Sequence, residues 1–200
     1  MAKFVTGATD VRQFPAPSVP EVAFLGRSNV GKSSVLNSLV GEKIARTSST
    51  PGRTRMINFF EVRRPGKPAA ELILADLPGY GYAKASRAEI AEWPRFIEPY
   101  LQQREPLALC ISLIDANVPP QPNDTQMIEW LRHSGRPFIV VATKADRLSG
   151  NELTNSLRRL SEAHKTELLL PYSARTSDGK DELWRQIWEA VGSVGSPGRL

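Results

Sequence analysis

Eight consecutive residues, Gly26-Arg27-Ser28-Asn29-Val30-Gly31-Lys32-Ser33, have the types and spacing of a phosphate-wrapping loop. Glycines at both ends let the backbone curl so that successive N–H groups face phosphate oxygens. Lys32 brings a full positive charge, and the Ser33 hydroxyl is suited to Mg²⁺. Two further short strings carry compatible chemistry. Asp76-Leu77-Pro78-Gly79 offers a carboxylate that can reach Mg²⁺ through water and a glycine N–H for a γ-phosphate. Thr143-Lys144-Ala145-Asp146 offers a carboxylate able to accept from the N1–H and N2–H₂ of guanine. Adenine has neither donor, so it would leave that carboxylate unpaired. The Lys144 stem can lie over the base ring, and the small Ser173-Ala174 pair lets a backbone N–H approach the guanine carbonyl.

Each string needs an element to present it. Residues 21–25 form a short apolar run that reads as a buried strand, and 33–40 have helical periodicity, so the helix N-terminus would face the phosphates. Residues 71–75 predict a strand ending at Asp76, and 137–142 predict one ending at Thr143. Residues 55–64 predict a strand antiparallel to 71–75, joined by a turn at 65–68. Residues 107–114, a continuous apolar run, predict a central parallel strand, and 167–171 the last strand. Helices are expected over 87–103, with Pro94 as a kink or a new start, and over 124–133, 153–164 and 181–191. Trp184 and Trp188 then share one face as core anchors. Strands alternating with helices after a phosphate loop predict an α/β fold. Its sheet would be mostly parallel, of about six strands with one antiparallel, covered by helices on both faces.

The 200 residues, 40% of them hydrophobic, suit one such domain over 21–191, with an extension at 1–20 and a flexible tail at 192–200. Phe4 and Val5 could form an edge strand or simply pack on the surface. Lys and Arg exceed Asp and Glu by 26 to 21, giving a net charge of +5. That excess fits a polyanionic partner such as RNA and equally a basic, solvated surface. Cys110 lies in an apolar run and reads as an inert core residue. No run approaches the roughly 18 apolar residues of a membrane span, and the N-terminus lacks a signal-peptide layout. A cytoplasmic protein with no membrane association is expected.

Between the first helix and Asp76 lies a polar, basic stretch, Arg46 to Thr54, with three candidate threonines. A hydroxyl of Thr47, Thr50 or Thr54 could complete the Mg²⁺ shell when a γ-phosphate is present, ordering the loop in that state alone. Arg46, Arg53, Arg55, Lys84 and Arg87 would attract phosphates, with strong salt dependence.

Taken together, Gly26 to Ser34, Thr50-Pro51-Gly52-Arg53-Thr54, Asp76-Leu77-Pro78-Gly79-Tyr80-Gly81-Tyr82-Ala83 and Thr143 to Asp146 resemble the translation-factor-type, Ras-like P-loop GTPases. The resemblance is to the EngB (YihA/YsxC) family of bacterial ribosome-biogenesis GTPases, and it runs from about Pro20 to Val191. It implies a Mg²⁺-dependent GTPase cycling between GTP and GDP, with Thr54 as the switch threonine. It also implies a role in assembling the large ribosomal subunit and a link to septum formation in cell division; a monomer is expected. The implied nucleotide-binding set is Gly26 to Ser33, Gly52, Arg53, Thr54, Arg55, Met56, Asp76, Leu77, Pro78, Gly79, Thr143 to Asp146, Tyr172, Ser173 and Ala174. Lys32, Thr54 and Gly79 carry the catalysis, and Ser33, Thr54 and Asp76 the metal.

Two departures from the wider GTPase pattern stand out. Thr143 replaces the usual asparagine, though its hydroxyl can still bond locally. Tyr80 follows Gly79 where many GTPases carry a glutamine that orients water, so slow intrinsic hydrolysis is expected. Asn29, three residues before Lys32, is either a turn-stabilising residue or a sign that K⁺ supplies extra positive charge at the phosphates. Two rival readings remain: an RNA-binding assembly factor whose nucleotide is merely structural, and an ATPase or small-molecule kinase, against which Asp146 argues.

Overall fold

The apolar runs become seven strands of one sheet in the computed structural model, which describes residues 1–45, 56–64, 66–67, 69–80 and 97–194. In chain order the strands are β1 (Ala2–Ala8), β2 (Glu21–Gly26), β3 (Ile57–Val62), β4 (Leu72–Asp76), β5 (Leu107–Asp115), β6 (Phe138–Thr143) and β7 (Leu169–Pro171). Their order across the sheet is β1-β3-β4-β2-β5-β6-β7. From β4 to β7 every pairing is parallel, and β3 runs antiparallel to both β4 and β1. The single reversed strand is as expected. The seventh strand is β1, so Phe4 and Val5 take the edge-strand alternative, with the Phe4 ring edge-on to Phe60.

Helices cover both faces. Helices α1 (Lys32–Val40) and α5 (Lys180–Val194) pack on one, where Leu36, Leu39, Leu183 and Ile187 meet Phe24, Leu74, Ile111 and Val141. On the other lie α2 (residues 97–103), α3 (Pro122–His133) and α4 (Gly150–His164). There Tyr100, Met127 and Leu131 meet Leu25, Phe59 and Cys110, and Leu160 meets Val140 and Ala142. Strand β5 has all nine residues buried, as a central strand covered on both faces must be. Burial pushes the Cys110 thiol up to about 12, consistent with an inert core residue.

Element ends differ from expectation where local chemistry extends or shortens them. Helix α3 starts at Pro122, because proline fits a first turn whose N–H groups have no helical partner anyway. Helix α4 starts at Gly150 because Ser149 and Glu152 form a reciprocal capping box. Strand β7 is shorter than 167–171 and β3 shorter than 55–64, while α5 runs on through Gly192. Trp184 and Trp188 are half-buried and stacked, with centroids 5.6 Å apart, and the Arg64 guanidinium covers Trp188. The expected helix over 87–96, its Pro94 break and residues 195–200 lie outside the described residues.

The stretch before β2 is tied to the core by one buried charge. Glu21 is fully buried, and its carboxylate accepts from the Arg104 guanidinium and from Tyr100 Oη at 2.8 Å. Arg104 also donates to Pro15 O and covers the Phe14 ring, which packs edge-on to Phe59 and Tyr100. A buried carboxylate is tolerated because every partner is in place.

Candidate nucleotide site

All the parallel strands end on the same edge of the sheet, and the polar motifs collect there. Strand β2 ends at Gly26, the chain loops, and α1 begins at Lys32 with Gly31 as its N-cap. Gly31 has φ 101°, a conformation open to glycine at little cost, and no side chain caps the helix. The helix end therefore presents uncapped N–H groups and its partial positive charge, which is how such loops hold anions. Asn29 also lies in the left-handed region, at φ 66°, a conformation that asparagine tolerates better than most residues.

The carbonyls on the back of this curled loop are met from β6. Thr143 Oγ1 lies 2.6 Å from Val30 O and 3.0 Å from Ile114 O, donating its one proton between them. Lys144, itself at φ 59°, extends Nζ to Asn29 O at 2.9 Å and to the Asp115 carboxylate at 2.6 Å. Burial pushes Asp115 up, but the bonds from Lys144 and Asn117 outweigh it and hold its carboxyl below the usual range. Thr143 thus ties the end of β6 directly to the phosphate loop.

Asp146 stands beyond Lys144 with both oxygens engaged. Ser173 Oγ donates to one at 2.7 Å and Arg175 Nε to the other at 2.8 Å. The Ser173 bond, helped by Arg175, keeps this carboxyl below its ordinary range, so it is an ionised acceptor at neutral pH. Ala145 N donates to Tyr172 O, which brings the end of β7 alongside. The Tyr172 ring itself is core, with Oη on Ser38 Oγ. A cavity of about 710 Å³ opens here, lined by Gly31, Ser34, Val35, Thr143, Lys144, Asp146, Arg147, Ala174 and Arg175. It joins the helix N-terminus to Asp146, and its volume is in the range of small-molecule sites.

On the phosphate side, Lys32 Nζ pairs with the Asp76 carboxylate. The ammonium expected to hold phosphate and the carboxylate expected to hold Mg²⁺ therefore share one place. Gly79 lies against the loop so closely that a Cβ on it would sit 3.1 Å from Ser28 N and Ser28 Oγ. Leu77 N donates to Phe24 O, which holds the Asp76–Gly79 segment onto β2. Tyr80 turns inward: its hydroxyl donates to Asp124 at 3.1 Å, so its ring is directed into the protein. Ser33 and Asp76 would hold Mg²⁺, whose charge offsets that of the phosphates. One hydroxyl and one carboxylate suit an ion that takes its remaining oxygens from phosphate and water.

The structure brings together Gly26 to Ser33, Asp76 to Gly79, Thr143 to Asp146 and Ser173-Ala174. Met56 packs beside Gly7 of β1. Arg46, Thr47, Thr50, Gly52, Arg53, Thr54 and Arg55 lie outside the described residues, as do Lys84 and Arg87. Sequence reasoning missed Asp115, Asp124, Arg147 and Arg175. For Asp115 a signal existed, since it ends a buried parallel strand just as Asp76 does. Among the described residues, no group of three or more His, Cys, Asp or Glu side chains could hold a metal by itself, and no helix is long and apolar enough to cross a membrane.

A phosphate loop, a strand-end aspartate with its glycine, and a second aspartate across a nucleoside-sized cavity define an α/β P-loop GTPase fold. Residues 21–144 match the family described as 50S ribosome-binding GTPase. "Probable GTP-binding protein EngB" of Koribacter versatilis is 58% identical over 193 residues, covering 96% of this chain and 95% of that protein. Its counterpart in Acidobacterium capsulatum is 56% identical over 186 residues, with 92% and 88% covered. The crystal structure of a probable GTP-binding protein engB aligns with TM-score 0.69 at 22% identity, over 86% of this chain and 99% of that one. Era in complex with MgGDPNP and nucleotides 1506–1542 of 16S ribosomal RNA aligns with TM-score 0.72 at 28% identity, over 91% and 59%. The chain belongs to the EngB family of GTP-binding proteins.

Replacing Thr143 by valine removes the side-chain donor to Val30 O and strips that buried loop carbonyl of its tie to β6. Urea unfolding should show a loss of about 1–3 kcal/mol. GTP and GDP should weaken together, because the loop they share loosens. Thr143→Ser should keep both properties.

Proposed function

We propose that this protein binds GTP and GDP with Mg²⁺, hydrolyses GTP slowly, and uses the bound nucleotide to control docking on the large ribosomal subunit or its precursor in the cytoplasm. The observation that carries the reading is the tie between the two ends of the cavity. Residues adjacent to Asp146 hold the back of the phosphate loop, so base reading and phosphate binding are one structural unit. Asp146 is kept ionised and aimed by Ser173 and Arg175, the state needed to accept from the two guanine donors. On this reading Lys32 and Gly79 stabilise charge on the γ-phosphate, and Thr54 joins Ser33 and Asp76 at the metal. Family membership supports the ribosomal partner, and the +5 net charge suits an RNA surface. The link to septum formation rests on the family resemblance.

Slow hydrolysis follows from the inward turn of Tyr80, which leaves no amide at that position to orient water. The third reading, an ATPase or small-molecule kinase, has no use for an acceptor-only carboxylate at the base.

Competition among GTP, GDP and ATP should favour the guanine nucleotides. Asp146→Asn should weaken GTP and GDP by at least about tenfold, the worth of one charged hydrogen bond, without changing ATP. An unchanged GTP affinity would refute guanine reading by this residue.

Co-sedimentation with large ribosomal subunits should be stronger with a GTP analogue than with GDP, and should fall steeply as salt rises. Equal binding in both states would instead favour a static RNA-binding factor with a structural nucleotide.

Single-turnover hydrolysis should be faster in KCl than in NaCl if K⁺ sits near Asn29. Equal rates would leave Asn29 as a turn residue only.

A further inference from the structure

The first turn of α3 holds a carboxylate that no part of the nucleotide reading uses. Asp124 is 2% exposed. Arg27, the second residue of the phosphate loop, brings Nε to both its oxygens at 3.0 and 2.9 Å. Tyr80 Oη donates to the same carboxylate at 3.1 Å. Burial pushes Asp124 up, against the pull of Arg27 and Tyr80. The backbone repeats the connection. Tyr80 N donates to Gly26 O at 3.3 Å and Ser28 N donates to Tyr80 O at 3.1 Å, so Tyr80 bridges the loop in parallel with Arg27.

We propose that Asp124 is a positioning residue for the γ-phosphate side of the site: it clamps Arg27 of the phosphate loop to Tyr80, and through Tyr80 sets the neighbouring Gly79. Gly79 passes so near Ser28 that a Cβ there would sit 3.1 Å from Ser28 N, and the next residue, Tyr80, is bonded to the loop on both sides of it. The clamp therefore matters for a ligand with a γ-phosphate and hardly at all for one without. It also fastens the start of α3 to both segments, so movement at Gly79 reaches that helix. This rests on the reading of the protein as a GTP and GDP binder.

The test compares Tyr80→Phe, Asp124→Asn and the double variant in the full chain. Affinities for a GTP analogue and for GDP are measured with Mg²⁺, together with single-turnover hydrolysis and thermal unfolding. Tyr80→Phe keeps the ring and removes only the hydroxyl. It should weaken the analogue by about fivefold or more, the lower range of a real coupling, with GDP unchanged. Hydrolysis should slow in parallel. Asp124→Asn should lower the ratio of analogue to GDP affinity at least as far, while any loss that comes through Arg27 of the shared loop falls on both nucleotides alike. The double variant should be no worse than Asp124→Asn, since residues acting as one unit are not additive. Should Asp124→Asn fail to fold, Tyr80→Phe alone decides. An unchanged ratio of analogue to GDP affinity, or equal losses for both nucleotides, overturns the clamp and leaves a purely structural ion pair. Failure of the native chain to bind guanine nucleotides overturns the underlying reading as well, which separates the two failures.

Discussion

A loop that turns its N–H groups toward a ligand must turn its carbonyls the other way, into the protein. Those carbonyls need donors, and at Asn29 and Val30 side chains supply them. Here the donors are Thr143 Oγ1 to Val30 O and Lys144 Nζ to Asn29 O, both from the end of β6. The constraint fixes much else. Strand β6 must lie beside β5, and β5 beside β2, for its end to reach the back of the loop. Lys144 must take a left-handed backbone to send its side chain back across the loop, a conformation that costs a lysine something and is held by its partners. Asp146 then follows at the far side of the cavity.

The same edge of the sheet concentrates charge in pairs. Asp76 meets Lys32, Asp115 meets Lys144, Asp124 meets Arg27 and Asp146 meets Arg175. Their burial differs, and so does their meaning. Arg175 is largely exposed, so its pair orients more than it stabilises. Asp124 is enclosed, and removing either partner would leave a charge or a donor stranded. A polyanionic ligand suits this edge because its cations are held in place by carboxylates and do not have to be ordered on binding.

Much of this was legible in the chain. The phosphate loop, Asp76 to Gly79 and Thr143 to Asp146 are contiguous strings, each directly after an apolar run, so spacing alone located them. Asp124 and Arg175 escaped for the opposite reason. Each works through a residue far away in sequence: Arg27 lies 97 positions from Asp124, and Arg175 lies 29 from Asp146. An acid in the first turn of a helix after Pro122 already has a local explanation in the helix dipole, which hides a second role. Strand β1 was ambiguous because two apolar residues carry no periodicity. What decides it is the partner edge of β3, which a sequence does not display.

Strand β1 has a consequence of its own. It covers β3, whose outer backbone groups would otherwise form the margin of the sheet. A bare margin of that kind is a template for strand addition by other chains. The register break between Phe4 and Thr6 and the charge of Lys3 make β1 itself a poor template. Strand β1 therefore takes up the outer side of β3, the strand that carries the chain on from Thr54 toward Asp76.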